Sequence, residues 1–162
     1  GGRMSVQVQT GSPGPAGHDD VAFLVAGHAG VTARPVAKVA SGGELSRIAL
    51  AIAVTTSRLG SVETLIFDEV DSGIGGQIAH TVGDLMRRLG DDRQVLAITH
   101  LPQVAATAHH HLKVEKQQSA QGTSSRIRSL DTTERTEEIA RMLGGSRDSA
   151  SVMAHAREIL KS

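Results

Sequence analysis

The sequence contains no cysteine, no tryptophan and no tyrosine, and its only aromatic residues are Phe23 and Phe67. Without cysteine the chain has no disulfides, no thiolate metal site and no cysteine nucleophile. Two aromatic rings offer no obvious platform for stacking single-stranded bases. The 17 basic residues are balanced by 17 acidic ones, so the net charge gives no simple electrostatic argument for direct nucleic-acid binding. No apolar run approaches the roughly 18 residues that cross a membrane, so we expect no membrane partner.

The remaining composition is that of an ordinary soluble domain. A length of 162 residues suits one domain, and a hydrophobic content of 39% supports an aliphatic core. We therefore expect a soluble protein in the cytoplasm.

The first third of the chain predicts two strands followed by a helix. Alternating apolar residues at 4–8 and the apolar run 21–25 predict two antiparallel strands, with 10–19 as a loop between them. Apolar residues recur at helical spacing from Glu44 onward on two faces, which predicts a largely buried helix that stops at Gly60.

The middle of the chain predicts a parallel sheet. The apolar runs 65–67 and 95–98 lack alternation, which is typical of parallel strands that are covered on both faces. Helical spacing over 78–89 separates them, so the three segments form a strand–helix–strand crossover. The remainder predicts a short helix at 103–108, strands at 112–114 and near 127, and two closing helices, the first capped by Asp131 or Thr133.

A helix start with two glycines is the first candidate site. Ser41 and Glu44 have the spacing of a capping box. Gly42 and Gly43 lower helix stability by up to about 1 kcal/mol each, but they leave the free N–H groups of the first turn open to an anion. Phosphate is the natural candidate for that anion.

Polar residues follow both apolar strands of the predicted parallel sheet. Asp68 and Glu69 come directly after 65–67, and His100 follows 95–98. Ligands of open parallel sheets bind beyond the carboxyl ends of the strands, so these side chains share one edge. There Asp68 suits magnesium or its waters, Glu69 suits a base that deprotonates a water, and His100 suits a donor to a phosphate oxygen.

These motifs resemble those of ATP-binding-cassette ATPases in order and spacing. Residues 41–47 resemble the signature motif, 65–69 the Walker B strand, 70–73 the D-loop and 98–100 the switch histidine. Three longer segments resemble bacterial DNA-repair ATPases related to the structural-maintenance-of-chromosomes (SMC) proteins, namely 68–76, 99–106 and 138–145.

One motif of that family is missing. A P-loop, or Walker A motif, needs Gly-Lys followed by Ser or Thr, and no lysine of this chain follows a glycine. In the family, the P-loop lies in an N-terminal lobe that a coiled coil separates from the second lobe. The resemblance thus implies that 1–162 is a single partial domain: the C-terminal lobe of an ABC/SMC-type P-loop NTPase head, α/β with helices flanking a parallel sheet, and without the P-loop strand.

The resemblance also implies a mechanism. ATP is sandwiched between two heads, and its magnesium ion is held through water by Asp68. Glu69 polarises the attacking water, and His100 contacts the γ-phosphate. The second head binds the nucleotide in trans through its signature motif, and Asp71 helps join the heads. The implied cofactor-binding residues are Ser41, Gly42, Gly43, Glu44 and Asp71.

The implied partners are an N-terminal Walker A lobe of the same protein, a second head in a homodimer, and DNA through the complete protein. The implied activity is ATP hydrolysis in double-strand-break repair and recombination, at the nucleoid when the protein acts on DNA. The chain alone is expected to be inactive, because it lacks Walker A. Two alternatives stay open: a transporter-type nucleotide-binding domain, and a non-hydrolytic interaction module that keeps only the fold.

Overall fold

A computed structural model describes residues 2–15, 17–38, 41–56, 62–119, 122–145 and 149–161. Within these ranges the chain is α/β, as expected. The strands are β1 (Arg3–Gly14), β2 (Gly17–Ala26), β3 (Arg34–Pro35), β4 (Thr64–Phe67), β5 (Gln94–Ala97), β6 (Leu112–Ser119) and β7 (Gly122–Ser129). The helices are α1 (Gly42–Thr55), α2 (Gly76–Leu89), α3 (Pro102–Thr107), α4 (Thr132–Met142) and α5 (Ala150–Ile159).

The two opening strands pair antiparallel, as predicted, but the hairpin is longer than expected. The prediction of a loop over 10–19 is wrong, because β1 continues to Gly14 and β2 begins at Gly17. A register irregularity between Thr10 and Gly14 accommodates the glycines and proline that suggested a loop. The backbone ladder does not require apolar side chains, so it extends beyond the apolar pattern.

The predicted parallel crossover is confirmed. β4 pairs parallel with β5, from Thr64 opposite Gln94 to Phe67 opposite Ala97, and α2 connects the two strands. The face with Leu65 and Phe67 packs into the core that α2 shares with Leu50 of α1.

The other face of this sheet is exposed. Ile66 is 69% exposed and Leu96 is 40% exposed. The expectation that both faces are covered is therefore wrong within the described residues, because no element among them packs on this outer face.

The helix α1 is only partly buried, which also corrects the sequence prediction. Its buried residues are Gly43 and Leu50, whereas Leu45 and Ile52 are 39% and 40% exposed. One side of α1 packs against the elements described here, and its other apolar side stays partly exposed. The predicted stop at Gly60 lies outside the described residues.

The C-terminal third contains a second hairpin and three helices. β6 and β7 form an antiparallel pair that extends well beyond the predicted strands. A capping box starts α4: the Asp131 carboxylate accepts from the Glu134 N–H (2.8 Å), and the Glu134 carboxylate accepts from the Asp131 N–H (3.1 Å). The predicted cap at Asp131 is thus confirmed. α4 and α5 pack with α3 around Ile139 and Ala156.

A buried carboxylate joins this hairpin to α4. The Glu138 side chain is 8% exposed and lies 2.8 Å from Lys113 Nζ in β6 and 2.6 Å from Arg141 Nη2. Hydrogen bonding from Arg141 lowers the pKa of Glu138, burial opposes that effect, and the bond from Lys113 reinforces it, so the pKa falls to about 2. Both cationic partners thus stabilise the charged carboxylate.

Among the described residues the longest helices have 14 residues. None of them is long and apolar enough to span a bilayer.

Candidate functional site

Ser41 caps the first turn of α1, which is the Ser41 half of the predicted capping box. The Ser41 side chain accepts a hydrogen bond from the Glu44 N–H (3.2 Å). Gly42 lies exposed at the start of the helix. The helix start therefore keeps both features that suit an anion: backbone N–H groups in the first turn and no side chain at position 42.

The same end of α1 is packed closely on the segment that follows β4. Gly43 is buried there, and a Cβ at this position would lie 2.8 Å from the Ser72 Cβ and 3.0 Å from the carbonyl oxygens of Glu69 and Ser72. Distances of that size exclude any larger residue unless the backbone moves. Glycine at position 43 is thus required by close packing as well as by access to the helix start.

Two hydrogen-bonding side chains tie α1 to this segment. The Ser46 hydroxyl donates to the carbonyl oxygen of Asp68 (2.6 Å). Arg47 Nη1 donates to the carbonyl oxygens of Ser72 (2.8 Å) and Val70 (3.3 Å). The signature-like helix is therefore held against the end of the Walker B-like strand by Ser46 and against the D-loop-like segment by Arg47, in each case through backbone carbonyl oxygens.

Asp68 and Glu69 lie exposed at the carboxyl end of β4, as predicted. Asp68 Oδ1 accepts from the Glu69 N–H (2.9 Å), which orients that carboxylate. Glu69 has a φ of 55°, a left-handed conformation that is uncommon outside glycine and often found at functional sites. Glu69 Oε2 lies where a Cβ of residue 42 would stand, so this carboxylate rests against the helix start.

Asp71 faces the interior. It is 2% exposed, and its Oδ2 accepts from the Thr99 hydroxyl (2.5 Å) and from the His100 N–H (2.9 Å). His100 Nδ1 lies 3.2 Å from the same oxygen, although the His100 side chain is 72% exposed. Burial acts to raise the pKa of Asp71, but the bonds from Thr99 and His100 outweigh it and hold the pKa below its ordinary value.

The structure thus brings the sequence-predicted site residues together at one edge of the parallel sheet. The contacts run from the α1 start through Glu69 to Asp71 and on to His100. Sequence reasoning gave no role to Ser46, Arg47 or Thr99. Gly43, Arg47 and Leu50 recur at helical spacing and share the packed side of α1. That spacing was the sequence feature that could have indicated a packing role for Arg47.

A magnesium ion fits this edge only with ligands from elsewhere. Among the described ranges no group of three His, Cys, Asp or Glu side chains could hold a metal. Magnesium commonly takes one or two carboxylates, with phosphate oxygens and water completing its shell. An exposed Asp68 at the strand end suits that arrangement.

Comparison with known proteins defines the class first. The SMC head domain of Pyrococcus yayanosii, solved with a coiled coil and joint, matches with a TM-score of 0.62 at 21% identity, over 85% of this chain and 26% of that one. A structure from a study of ATP-driven dimerisation and DNA-stimulated activation of SMC ATPases matches with a TM-score of 0.55 at 20% identity, over 86% of this chain and 81% of that one. The fold is that of an SMC-type ATPase head lobe.

The sequence comparison is more specific. The DNA repair protein RecN of Vibrio cholerae is 49% identical over 158 residues, which is 98% of this chain and 28% of that protein. RecN of Streptomyces coelicolor is 48% identical over 91% of this chain and 26% of that protein. No protein-family model matches the sequence. The chain is thus a homologue of RecN over nearly its whole length, and it spans little more than a quarter of the length of the curated relatives it matches.

Proposed function

We propose that the chain is the C-terminal lobe of the ATPase head of a RecN-like protein that acts in DNA double-strand-break repair and recombination. Complete heads bind ATP between two copies and hydrolyse it. The observation that carries this proposal is the direct contact between three motifs. The start of α1, the Asp68–Glu69 pair and His100 are linked at one sheet edge, so one lobe presents residues for its own nucleotide next to a helix start for the nucleotide of the opposite head.

Each residue has a role that its position supports. Asp68 holds a magnesium ion through water, and that ion offsets the charge of the phosphates when it is bound. Glu69, exposed at the strand end, orients the attacking water and accepts its proton. His100 presents an exposed ring to the γ-phosphate. The α1 start, Ser41 to Glu44, binds the nucleotide held by the opposite head through its N–H groups.

The exposed apolar faces support a missing lobe as the first partner. Two apolar surfaces are exposed among the described residues: the outer sheet face with Ile66 and Leu96, and the outer side of α1 with Leu45 and Ile52. Apolar faces of this kind are typical of surfaces that another part of a protein covers. A Walker A lobe of the same protein is the occupant that an ATPase head requires. The complete molecule then engages DNA in the cytoplasm, at the nucleoid.

The test is ATP turnover by this chain alone and after mixing with a Walker A lobe of the same family. We expect turnover only in the mixture, because the P-loop lysine is absent from this chain. Glu69→Gln should abolish it, since the amide cannot accept a proton from water. Glu63→Gln, a change of the same type at the exposed residue before β4, should leave turnover at the wild-type rate.

Two outcomes would overturn the proposal. Wild-type turnover in the Glu69→Gln mixture would remove the assigned base. No turnover in a mixture shown to be folded and associated would favour the non-hydrolytic interaction module instead.

A second measurement addresses the shared site. Ser41→Arg should obstruct the helix start and prevent ATP-dependent dimerisation of the assembled heads, measured by light scattering. Unchanged dimerisation would contradict nucleotide binding by the α1 start.

A further inference from the structure

The backbone at Glu69 has a conformation that its surroundings must hold. A φ of 55° makes Glu69 the one residue other than glycine with a positive φ in the described part of the chain. A left-handed backbone is unfavourable for a residue that carries a Cβ, and it persists only where neighbouring contacts fix it. The groups that make these contacts therefore determine how Glu69 is placed.

The peptide plane that precedes the Glu69 Cα is fixed at both of its polar groups. Its carbonyl oxygen, which belongs to Asp68, accepts from the Ser46 hydroxyl at 2.6 Å. Its N–H, which belongs to Glu69, donates to Asp68 Oδ1 at 2.9 Å. The second contact lies within the same turn, so Ser46 is the group that fixes this plane relative to α1.

The residues after Glu69 are held against α1 as well. The Glu69 carbonyl oxygen accepts from the Ser72 N–H at 3.0 Å, which fixes the peptide plane that follows the Cα. Arg47 Nη1 donates to the carbonyl oxygens of Ser72 (2.8 Å) and Val70 (3.3 Å), so it ties this turn to α1. A side chain leaves its Cα in a direction set by the residue's own nitrogen and carbonyl carbon. Contacts that fix the two flanking planes therefore also set the direction of the Glu69 side chain.

We propose, on the basis of the proposed ATPase function, that Ser46 and Arg47 are positioning residues that hold the Glu69 carboxylate in line with the attacking water. Both act through the backbone of 68–72, and Gly43 lets α1 approach that backbone closely. A general base has to lie within hydrogen-bond reach of the proton that it accepts, and a displacement of about 1 Å lowers a rate by as much as about 100-fold. The signature-like helix thus contributes to hydrolysis in its own head, in addition to binding the nucleotide of the opposite head.

Steady-state kinetics of the head assembled from this chain and its Walker A lobe test the role of Ser46. Ser46→Ala removes the hydroxyl and should lower kcat for ATP by about 10- to 100-fold, with KM within about twofold of the wild type. Ser46→Thr keeps a hydroxyl and should restore most of kcat. Ser151→Ala, the same type of change at an exposed residue of α5, should leave both constants unchanged. A wild-type kcat in Ser46→Ala would refute the role of Ser46.

A conformational measurement separates positioning from a general loss of structure. The amide proton and Hα of one residue lie close together when φ is positive, so the NOE between them reports the Glu69 backbone directly. It is recorded without nucleotide on 15N-labelled, protonated glutamate in an otherwise deuterated head, and the Glu69 signal is assigned by its loss in Glu69→Gln. We expect a strong NOE in the wild type and in Ser46→Thr, and a weak one in Ser46→Ala. A strong NOE in Ser46→Ala, or a weak one in the wild type, would overturn the proposal.

A second variant keeps the proposal testable if Ser46→Ala does not fold. Arg47→Met keeps an unbranched stem, removes the donors to the carbonyl oxygens of Val70 and Ser72, and should lower kcat by about 10- to 100-fold. It should keep ATP-dependent dimerisation in light scattering, because the α1 start at 41–44 is unchanged. Arg88→Met, at an exposed residue of α2, is the matched control. A wild-type kcat in Arg47→Met would contradict a positioning role for the guanidinium.

Failure of the proposed function gives a different result from failure of the positioning role. Wild-type turnover in Glu69→Gln would remove the base itself, and with it any role for Ser46 and Arg47 in placing that base, whatever the NOE shows. Abolished turnover in Glu69→Gln together with a wild-type kcat in Ser46→Ala and Arg47→Met would leave the proposed function intact and refute only the positioning by α1.

Discussion

The ion cluster around Glu138 gives the most quantitative prediction. The perturbation is Glu138→Gln, which mimics the protonated carboxyl and removes the negative charge between Lys113 and Arg141. In the folded chain the pKa of Glu138 is about 2, against an ordinary value of 4.5. A pKa lowered by about 2.5, at about 1.4 kcal/mol for each pKa unit, corresponds to about 3 to 3.5 kcal/mol of folding free energy.

The direction of the pH dependence follows from the lowered pKa. Because the folded-state pKa lies below the unfolded-state value, the contribution is fully present above pH 4.5 and is lost as the pH falls toward 2. The free energy of unfolding of the wild type should exceed that of Glu138→Gln by about 3 kcal/mol at pH 7. The two proteins should converge near pH 2, where the wild-type carboxyl becomes protonated.

Urea titrations between pH 2 and 7 measure this difference. The matched control is Glu158→Gln in α5, whose carboxylate is 81% exposed and lies 3.5 Å from His155 Nδ1. An exposed pair of this kind contributes at most about 1 kcal/mol, so the control should differ little from the wild type. A difference for Glu138→Gln below about 1 kcal/mol at pH 7, or one that does not shrink in acid, would refute the reasoning.

Four further substitutions test local features. Gly43→Ala should destabilise the chain by about 1–3 kcal/mol in urea titration, more than the gain of about 1 kcal/mol in helix propensity, because the methyl meets backbone atoms. Gly42→Ala meets only a flexible carboxylate and should cost less than about 0.5 kcal/mol; equal effects would contradict the packing argument. Arg47→Lys should speed amide hydrogen exchange at Ser72, because the Ser72 carbonyl oxygen loses its hydrogen bond from the guanidinium. Unchanged exchange would show that this hydrogen bond does not hold the segment in place. Asp131→Ala should lower the free energy of unfolding by about 1 kcal/mol, measured by thermal unfolding. A stability equal to that of the wild type would show that this cap does not stabilise α4.

Much of the fold was predictable because its signals are local. The helical spacing over 78–89 and the two apolar runs around it were enough for the parallel crossover, since right-handed βαβ units are nearly obligatory for adjacent parallel strands. Extended segments were harder to predict. The hairpin of β1 and β2 continues to Gly14 and Gly17 through a register irregularity after Thr10, although the glycines and prolines there favour a turn.

The candidate site was predictable at the level of residues but not of contacts. Asp68, Glu69 and His100 lie at the sheet edge where the sequence placed them. Asp71 was expected to help join two heads, and that role stays a prediction. Its buried carboxylate and its contact with His100 depend on residues 28 and 29 positions further along the chain, which no local pattern reports.

The sequence by itself determined which residues can do chemistry and where helices begin. Capping at Ser41 and Asp131, glycines at a helix start and acids after an apolar strand are features of neighbouring residues, so their physics acts over a few positions. Only the tertiary structure decided which faces are covered and which partners each polar group finds. Burial and hydrogen bonding depend on segments far apart in the chain. Thus α1 packs on the residues after β4, and a single carboxylate oxygen of Asp71 accepts hydrogen bonds from Thr99 and His100.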